Sequence, residues 1–283
     1  MSFTAACIQL TSGREIAPNI AAASDLVRRA RDAGADLILT PEVSDMIEPR
    51  RALRLEKAKP EAEHAMLAAF RDLACETGAW LLLGSIVVRE GDDERLRNRS
   101  LLIAPDGGVA QRYDKIHMFD VALEGGESYR ESAAFRPGEA AAVASLPWGV
   151  LGMTVCYDLR FPHLYRALAQ GGASFLSIPS AFTVPTGRAH WHVLLRARAI
   201  ENFCFVFAPA QGGEHAEGRR TFGHSLIVAP WGEVLAEEDE DSGPGFITAS
   251  IDPAKVAEAR RAVPSLSHDR PFAPPPDMRR AAE

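Results

Sequence analysis

Three residues of this sequence have the types and positions needed for attack on a carbonyl carbon. Cys156, Glu42 and Lys115 each come just after a short apolar run that predicts a strand. A thiolate is a strong nucleophile, a carboxylate can take the thiol proton, and an ammonium group can stabilise the negative oxygen that develops. Partial burial would raise the pKa of Glu42 toward that of a working base, while backbone amides and Lys115 would lower the pKa of the thiol.

Each of these residues also has an ordinary structural interpretation. Cys156 could be a small buried hydrophobic residue, Glu42 a loop or capping carboxylate, and Lys115 a solvated surface lysine. The catalytic interpretation is favoured because all three lie just past strand ends. The other three cysteines lie in apolar strands or a helix and are expected in the core: Cys7, Cys75 and Cys204.

The elements that would position these side chains follow from the hydrophobic pattern. Helices are predicted over residues 17–33, 60–77, 161–170 and 188–201. Strands are predicted over residues 3–10, 36–40, 80–88, 99–104, 109–114, 141–146, 150–155, 173–178, 203–208, 225–228, 233–236 and 245–251. Pro105-Asp106-Gly107-Gly108 predicts a hairpin that makes the strand over 109–114 antiparallel to the one before it.

The two halves of the chain share an order of elements. Each contains a helix, a glycine, an apolar strand and a proline, from Gly34 to Pro41 and from Gly172 to Pro179. This order indicates two similar halves packed face to face in an α/β sandwich with mixed sheets. No linker interrupts the chain, which predicts a single domain over 1–283 with an extended, proline-rich tail from about 264.

Composition narrows the possible partners. The 283 residues contain 31 Lys+Arg and 38 Asp+Glu, a net charge of −7, with no basic cluster. Nucleic acid and membrane are therefore not expected partners, and a small molecule is. The four cysteines form no Cys-x-x-Cys pair, and the N-terminus lacks the pattern of a signal peptide, so we expect reduced thiols and a cytoplasmic location.

Several motifs together carry a family resemblance. Leu39-Thr40-Pro41-Glu42, Tyr113-Asp114-Lys115-Ile116-His117 and Cys156-Tyr157-Asp158-Leu159-Arg160-Phe161-Pro162 resemble the Glu, Lys and Cys signatures of the nitrilase superfamily of carbon–nitrogen hydrolases. Further matches are Pro179-Ser180-Ala181-Phe182, Thr186-Gly187, Ala189-His190-Trp191, residues 195–201, Gly223-His224-Ser225 and Pro230-Trp231-Gly232-Glu233. The resemblance runs from residue 3 to about 272. It is strongest to the Nit amidase branch, which includes omega-amidase and deaminated glutathione amidase.

The resemblance implies a fold, an assembly and a set of roles. The fold is a four-layer αββα sandwich with two mixed β-sheets, and the assembly is a homodimer or higher homo-oligomer built on helix faces. Glu42 would be the general base, Cys156 the nucleophile, and Lys115 the oxyanion stabiliser with the backbone N–H of Tyr157. Glu131 matches a second glutamate that orders the base and the lysine. The reaction would pass through a thioester and need neither metal nor organic cofactor.

Substrates of that branch carry an α-keto acid and an amide that is cleaved to acid plus ammonia. The resemblance implies that Arg160 binds the substrate carboxylate. Arg160 could instead stabilise the turn by pairing with Asp158. Phe182 and Thr186 match pocket residues. Two acidic residues, Glu124 and Glu127, fall in a loop expected to face the substrate.

Other interpretations remain open from the residues alone. A papain-like pair could join Cys156 to one of His117, His190 or His224, though no cysteine-protease signature surrounds it. A metal site at His190 and His192 is disfavoured, because residues two apart on a helix point to different faces. A nitrilase, an N-carbamoyl amino acid amidohydrolase or a non-catalytic binding member of the same fold would share most of these motifs.

Overall fold

The computed structural model describes residues 1–91, 93–122, 128–239, 243–273 and 275. Its strands are β1 (Phe3–Gln9), β2 (Leu37–Leu39), β3 (Trp80–Val88), β4 (Arg97–Ile103), β5 (Val109–Asp114), β6 (Asp120–Ala122), β7 (Ser128–Arg130), β8 (Ala142–Leu146), β9 (Gly149–Met153), β10 (Phe175–Ser177), β11 (Phe205–Ala208), β12 (Gly212–Glu214), β13 (Arg220–Phe222), β14 (Leu226–Val228), β15 (Val234–Glu237) and β16 (Gly245–Ile251). Its α-helices are α1 (Ile16–Asp32), α2 (Arg51–Lys57), α3 (Ala65–Thr77), α4 (Pro162–Gln170), α5 (Val184–Asn202) and α6 (Ala254–Ala262).

The strands form two six-stranded mixed sheets of matching design. The first has the order β16-β1-β2-β3-β4-β5 and the second the order β15-β14-β11-β10-β9-β8, while β6-β7 and β12-β13 are two-stranded ribbons. Each large sheet has a parallel centre, β1-β2-β3 or β9-β10-β11, flanked by antiparallel strands. The predicted hairpin is confirmed, because β4 and β5 pair antiparallel.

The alternation of side chains along β1 explains the layers. Ala5 and Cys7 point into a core shared with second-sheet residues such as Phe175, whereas Ala6 and Ile8 pack against α1 and α3. Successive side chains of a strand face opposite sides of its sheet, so a strand covered on both sides must be apolar throughout. With α4 and α5 on the outer face of the second sheet, the layers are αββα, as the family resemblance implied.

The helix predictions needed three adjustments. The region predicted as a helix over 60–77 is a 3₁₀ turn followed by α3, which ends at Gly78 in the left-handed conformation. Helix α5 begins four residues earlier than the predicted 188, with Pro185 in its first turn, where a missing N–H costs no helical hydrogen bond. The short helices α2 and α6 were not predicted. In the described part of the chain, no helix is long and apolar enough to cross a bilayer.

Candidate active site

Glu42 lies three residues beyond the end of β2, in a loop held against β3. Thr40 N–H donates to the Leu82 carbonyl at 2.9 Å, and Val43 N–H donates to Ser85 Oγ at 2.8 Å. Val43 has a left-handed φ of +46°, an uncommon conformation for a β-branched residue and one often retained where a functional loop requires it. The loop leaves Glu42 5% exposed, with its carboxylate turned toward the space between the two sheets.

Three nitrogen donors hold the Glu42 carboxylate. Its Oε1 accepts hydrogen bonds from Lys115 Nζ and Asn98 Nδ2, both at 2.9 Å. Its Oε2 accepts one from the backbone N–H of Ala181, at 3.0 Å, in the loop that follows β10 of the second sheet. The base position is therefore fixed by groups from both sheets.

Lys115 comes directly after β5 and is 2% exposed. Besides Glu42, its Nζ contacts both carboxylate oxygens of Glu131, at 2.9 and 2.8 Å. Glu131 Oε2 also accepts the backbone N–H of Phe119 at 2.6 Å. The ammonium group thus sits between two carboxylates, in an orientation that its surroundings determine.

Cys156 begins a short 3₁₀ helix, Cys156–Arg160, three residues past the end of β9. Its φ is +50°, and its N–H donates to the Pro179 carbonyl at 2.9 Å. This strained conformation directs the side chain away from the strand it follows, into the cavity that Glu42 and Lys115 also line. The predicted positions past three strand ends therefore meet in one place, with Glu42 and Lys115 from the first sheet and Cys156 from the second.

The pKa shifts of Glu42 and Cys156 differ from the sequence-based expectation. Burial alone would raise the pKa of Glu42, but the charge of Lys115 and hydrogen bonds from Lys115, Cys156 and Asn98 outweigh it, and the pKa is lowered. Burial would lower the pKa of Lys115, yet Glu131 and Glu42 raise it well above its ordinary value. The expectation of a raised pKa for Glu42 was wrong because it omitted this ion pair.

For the thiol, Lys115 and a backbone amide do lower the pKa of Cys156 as expected, but other contributions outweigh them. Burial and the charge of Glu42 raise the pKa of Cys156 well above its ordinary value, and Lys115 offsets only part of this. The resting site therefore holds a neutral thiol beside an ionised carboxylate and an ammonium group. A thiol in this state needs a base during attack, and the adjacent Glu42 can supply it.

Asn98 is a site residue that the sequence analysis missed. It is 2% exposed on β4, and its Nδ2 donates to Glu42 at 2.9 Å and to Glu131 at 3.4 Å. The available signal was a polar residue on the inward-facing side of a strand, two positions before Ser100, which is also buried. Asn98 therefore links the two carboxylates that Lys115 also contacts.

Asp158 braces the turn that carries Cys156. Its Oδ2 accepts hydrogen bonds from Tyr113 Oη at 2.7 Å and Val155 N–H at 2.9 Å, and its Oδ1 accepts from His117 N–H at 3.0 Å. Asp158 thus ties the nucleophile turn to the segment that carries Lys115. The suggestion that Asp158 pairs with Arg160 was wrong, since its oxygens are occupied by these donors.

Arg160 lies outside the lining of the cavity. Its guanidinium is 5.8 Å from the ring centre of Tyr157 and 5.5 Å from that of Phe182, and its Nη1 is 3.2 Å from His190 Nδ1. Tyr157, Phe182 and Thr186 do line the cavity beside Cys156. The loop with Glu124 and Glu127 lies outside the described residues.

The histidines of the papain-like alternative are engaged elsewhere. His117 Nδ1 is 2.7 Å from Asp158, and His224 Nδ1 is 2.7 Å from Glu237. His192 Nε2 meets the same Glu237 oxygen at 2.7 Å, so these three residues form a surface group whose types could bind a divalent metal. His190 is not part of it. None of these histidines lines the cavity with Cys156.

The remaining cysteines differ in exposure. Cys7 and Cys204 are buried in the core as predicted, and burial raises the pKa of Cys204 to about 11. Cys75, also predicted to be in the core, is exposed. It lies on α3 beside the buried stripe that includes Phe70 and Ala74, but faces solvent.

Comparisons with known proteins agree on one family. Residues 4–261 match the family described as carbon–nitrogen hydrolase. Deaminated glutathione amidase of Homo sapiens is 42% identical over 270 residues, covering 94% of this chain and 82% of the human protein. The C. elegans NitFhit protein superposes with a TM-score of 0.89 at 36% identity. The superposition covers 95% of this chain and 65% of the longer NitFhit chain. A mutant of the amidase from Nesterenkonia sp. AN1 has a TM-score of 0.77 at 29% identity, covering 92% of this chain and 94% of that one, and carries the acetamide moiety of fluoroacetamide covalently at its active-site cysteine.

Proposed function

Since the chain belongs to the carbon–nitrogen hydrolase family, we propose that it is an amidase that cleaves deaminated glutathione, with Cys156 as nucleophile, Glu42 as base and Lys115 as oxyanion stabiliser. The observation that carries this proposal is the hydrogen-bonded group of Glu42, Lys115 and Glu131 beside the Cys156 thiol, in one cavity. The relatives' activity supports the substrate.

The first half-reaction follows from the charge states. Sulfur of Cys156 attacks the amide carbon as the thiol proton passes to the Glu42 carboxylate, and the carbonyl electron pair moves to oxygen. Lys115 and the backbone N–H of Tyr157 stabilise this oxyanion, a contribution of about 10²–10³ in rate for one such donor. The C–N bond then breaks, and the leaving nitrogen takes the proton from Glu42.

The second half-reaction regenerates the thiol. Glu42 removes a proton from water as the water oxygen attacks the thioester carbonyl, and the carboxylic acid leaves as Cys156 recovers its proton. Glu131 and Asn98 keep Glu42 and Lys115 in place through both steps, because each contacts the base or the lysine directly.

The chemistry of the substrate decides the leaving group. Deaminated glutathione is glutathione with a keto group in place of its amine, so its amides are secondary. Cleavage at the keto-acid side therefore yields 2-oxoglutarate and the amine of cysteinylglycine, not the ammonia that the family resemblance implied. A primary amide such as α-ketoglutaramate yields the same acid and ammonia. The cavity of about 570 Å³ is within the range typical of small-molecule sites and has room for either substrate.

A substrate panel tests this proposal. Deaminated glutathione, α-ketoglutaramate, N-carbamoyl amino acids and simple nitriles are each incubated with the enzyme, and the acid product is quantified by chromatography. We expect the highest kcat/KM for deaminated glutathione and none for the Cys156→Ala variant. Preference for a nitrile or a carbamoyl amino acid would refute the substrate, and turnover by Cys156→Ala would refute the nucleophile.

We also propose that the enzyme is a homodimer or a higher homo-oligomer built on α5. Val193 and Ile200, seven residues apart on one face of that helix, are exposed, and so is Trp231 in the adjoining turn. The Gly232 carbonyl of that turn accepts a hydrogen bond from Arg196 of α5 at 2.8 Å, so these apolar side chains share one surface. Light scattering after gel filtration should give a dimer or larger species, and Val193→Glu a smaller one. A monomeric wild type would contradict the proposal.

A cytoplasmic location is the last part of the proposal. All four cysteines are free thiols, including the exposed Cys75, and exposed free thiols are typical of reducing compartments. Fractionation of cells that express the tagged protein should recover it with cytoplasmic markers, and recovery with secreted or membrane fractions would contradict this.

A further inference from the structure

The catalytic cavity extends beyond the residues that perform the chemistry. Besides Glu42, Lys115 and Cys156, its lining includes the arginines Arg54, Arg130 and Arg219 and the acids Glu48 and Glu217. Arg130 is placed opposite Asp120 on the neighbouring strand of its ribbon. The other two arginines have no role in the mechanism above.

Arg54 lies on α2 with its guanidinium partly buried and without a carboxylate in hydrogen-bond contact among the described residues. Its Nη1 donates to the Glu48 carbonyl at 3.1 Å, and the group lies 5.2 Å from the centre of the Phe135 ring. Its Nε is buried and has no hydrogen-bond acceptor in the described part of the chain. A guanidinium that lines a ligand cavity without a carboxylate partner is a candidate for binding an anion.

Arg219, just before β13, also lacks a carboxylate in hydrogen-bond contact among the described residues. Its Nη2 reaches the Ala181 carbonyl at 3.5 Å, its guanidinium lies 6.0 Å from the centre of the Tyr129 ring, and its buried Nε lacks an acceptor within the described ranges. Ala181 is the residue whose N–H holds Glu42. Ala181 therefore connects Arg219 to the catalytic base Glu42.

The acids of the cavity have closer partners than these arginines. Glu48 pairs with Arg50 and Lys57, both at 3.2 Å, and Glu217 pairs with Arg14 and Arg50. These three cations lie outside the cavity lining.

The two arginines are also close enough to repel each other. Burial lowers the pKa of Arg54, the charges of Glu131 and Glu48 oppose this, and the charge of Arg219 lowers the pKa further. Two guanidinium groups that face one cavity, neither of them ion-paired among the described residues, form a favourable place for an anion.

We propose that Arg54 and Arg219 form a carboxylate-binding subsite of this cavity that holds a substrate carboxylate during catalysis. The inference rests on the proposed amidase function and specifies how its substrate is selected. A planar guanidinium offers paired N–H donors that match the two oxygens of a carboxylate. Deaminated glutathione provides two candidates, the keto-acid carboxylate on the acyl side and the glycine carboxylate on the leaving group.

Kinetics of the Arg54→Gln and Arg219→Gln variants test the subsite. For deaminated glutathione, each change should raise KM about 10- to 100-fold, the equivalent of one or two charge-assisted hydrogen bonds, with a smaller effect on kcat. A KM increase for α-ketoglutaramate as well would assign the subsite to the acyl-side carboxylate. An increase for deaminated glutathione alone would assign it to the leaving group. Arg54→Lys should recover part of the loss.

Two controls separate recognition from structure. Arg51→Gln, on the exposed side of α2 where Arg51 pairs with Glu94, should leave KM unchanged. Butyramide has no carboxylate, so the Arg54→Gln and Arg219→Gln variants should lose at least tenfold more kcat/KM on the two anionic substrates than on butyramide. Unchanged KM values for both anionic substrates, or an equal loss with butyramide, would overturn the inference.

Calorimetry distinguishes failure of the subsite from failure of the function. Both anionic substrates are titrated into Cys156→Ala and into Cys156→Ala that also carries Arg54→Gln and Arg219→Gln. At least tenfold weaker binding to the triple variant supports the subsite even if the wild type shows no turnover, a result that would refute only the proposed function. Equal binding to the two proteins, or none to Cys156→Ala, overturns the subsite.

Discussion

Replacing Lys115 with methionine removes the only ammonium group that contacts both Glu42 and Glu131 among the described residues. Methionine keeps the length of the side chain but donates no hydrogen bond. The two carboxylates would then face each other across Asn98, whose Nδ2 reaches them at 2.9 and 3.4 Å. Like charges this close cannot both stay ionised in a buried site, so one carboxylate takes up a proton.

The size of the effect has two parts. Loss of an oxyanion donor costs about 10²–10³ in rate, and partial protonation of Glu42 at neutral pH reduces the rate further. We expect kcat/KM to fall about 10³-fold or more, the equivalent of about 4 kcal/mol. Removing one partner of a buried ion pair also lowers the free energy of unfolding, by about 3–5 kcal/mol.

The assay measures release of 2-oxoglutarate from α-ketoglutaramate as a function of pH, together with guanidinium-induced unfolding. In Lys115→Met the acidic limb of the pH profile should move upward, because the pKa of Glu42 is no longer held down. Lys115→Met with Glu131→Gln removes one of the facing charges and should recover part of the stability but not the turnover. Lys59→Met, at an exposed position, is the matched control.

Two results would refute this reasoning. A folded Lys115→Met enzyme within tenfold of wild-type kcat/KM would show that the lysine does not stabilise the oxyanion. Recovery of turnover along with stability in the double variant would show that Lys115 acts only as a structural partner of Glu131.

Three further predictions concern the base, the nucleophile turn and the loop that carries Glu42. Catalysis needs Glu42 ionised and its pKa is lowered, so the acidic limb of wild-type kcat/KM should lie below about 4.3, the ordinary glutamate value; a limb above about 5 would contradict the pairing. The same carboxylate stabilises the fold above its unfolded pKa, and that stability is lost as pH falls through the folded pKa. Asp158→Asn presents an amide to donors that now meet a carboxylate, and should lower the unfolding free energy by about 2–3 kcal/mol in chemical denaturation; no change would argue that Asp158 is dispensable. Gly84→Ala would set a Cβ well inside van der Waals contact with the Thr40 and Pro41 carbonyls, so it should reduce both melting temperature and kcat, whereas retention of both would mean that the loop moves freely.

Much of the fold could be predicted because the hydrophobic pattern determines the layers. Strands buried on both faces appear as continuous apolar runs, and α1 and α3 show the spacing of a helix buried on one side. The short helix α2 and the ribbons β6-β7 and β12-β13 were not predicted. Their stretches are brief and largely polar, and contacts distant in sequence determine their conformation.

The candidate site was predictable only in part. Glu42, Lys115 and Cys156 could be selected because each follows a strand end, and the family motifs indicated Glu131. The pKa directions were mistaken, because they depend on distances between groups that are far apart in sequence. Burial would have raised the pKa of an isolated Glu42, and the contact with Lys115 reverses the sign.

Arg54 and Arg219 show a second reason why sequence was insufficient. An arginine in a polar stretch has the same appearance whether or not it has an acidic partner. Two observations mark these arginines as a candidate anion site: neither has a hydrogen-bonded carboxylate among the described residues, and both line the same cavity. Both are properties of the folded chain.

The most direct test of the central claim is the location of the acyl group during turnover. Enzyme mixed with excess α-ketoglutaramate is quenched in acid within the first turnovers, digested and mapped by mass spectrometry. A Cys75→Ser background removes the exposed thiol as an alternative acceptor. We predict that the acyl group of the substrate will be found on Cys156 as a thioester. An acyl group on any other residue, or release of 2-oxoglutarate with Cys156 never acylated, would contradict the account.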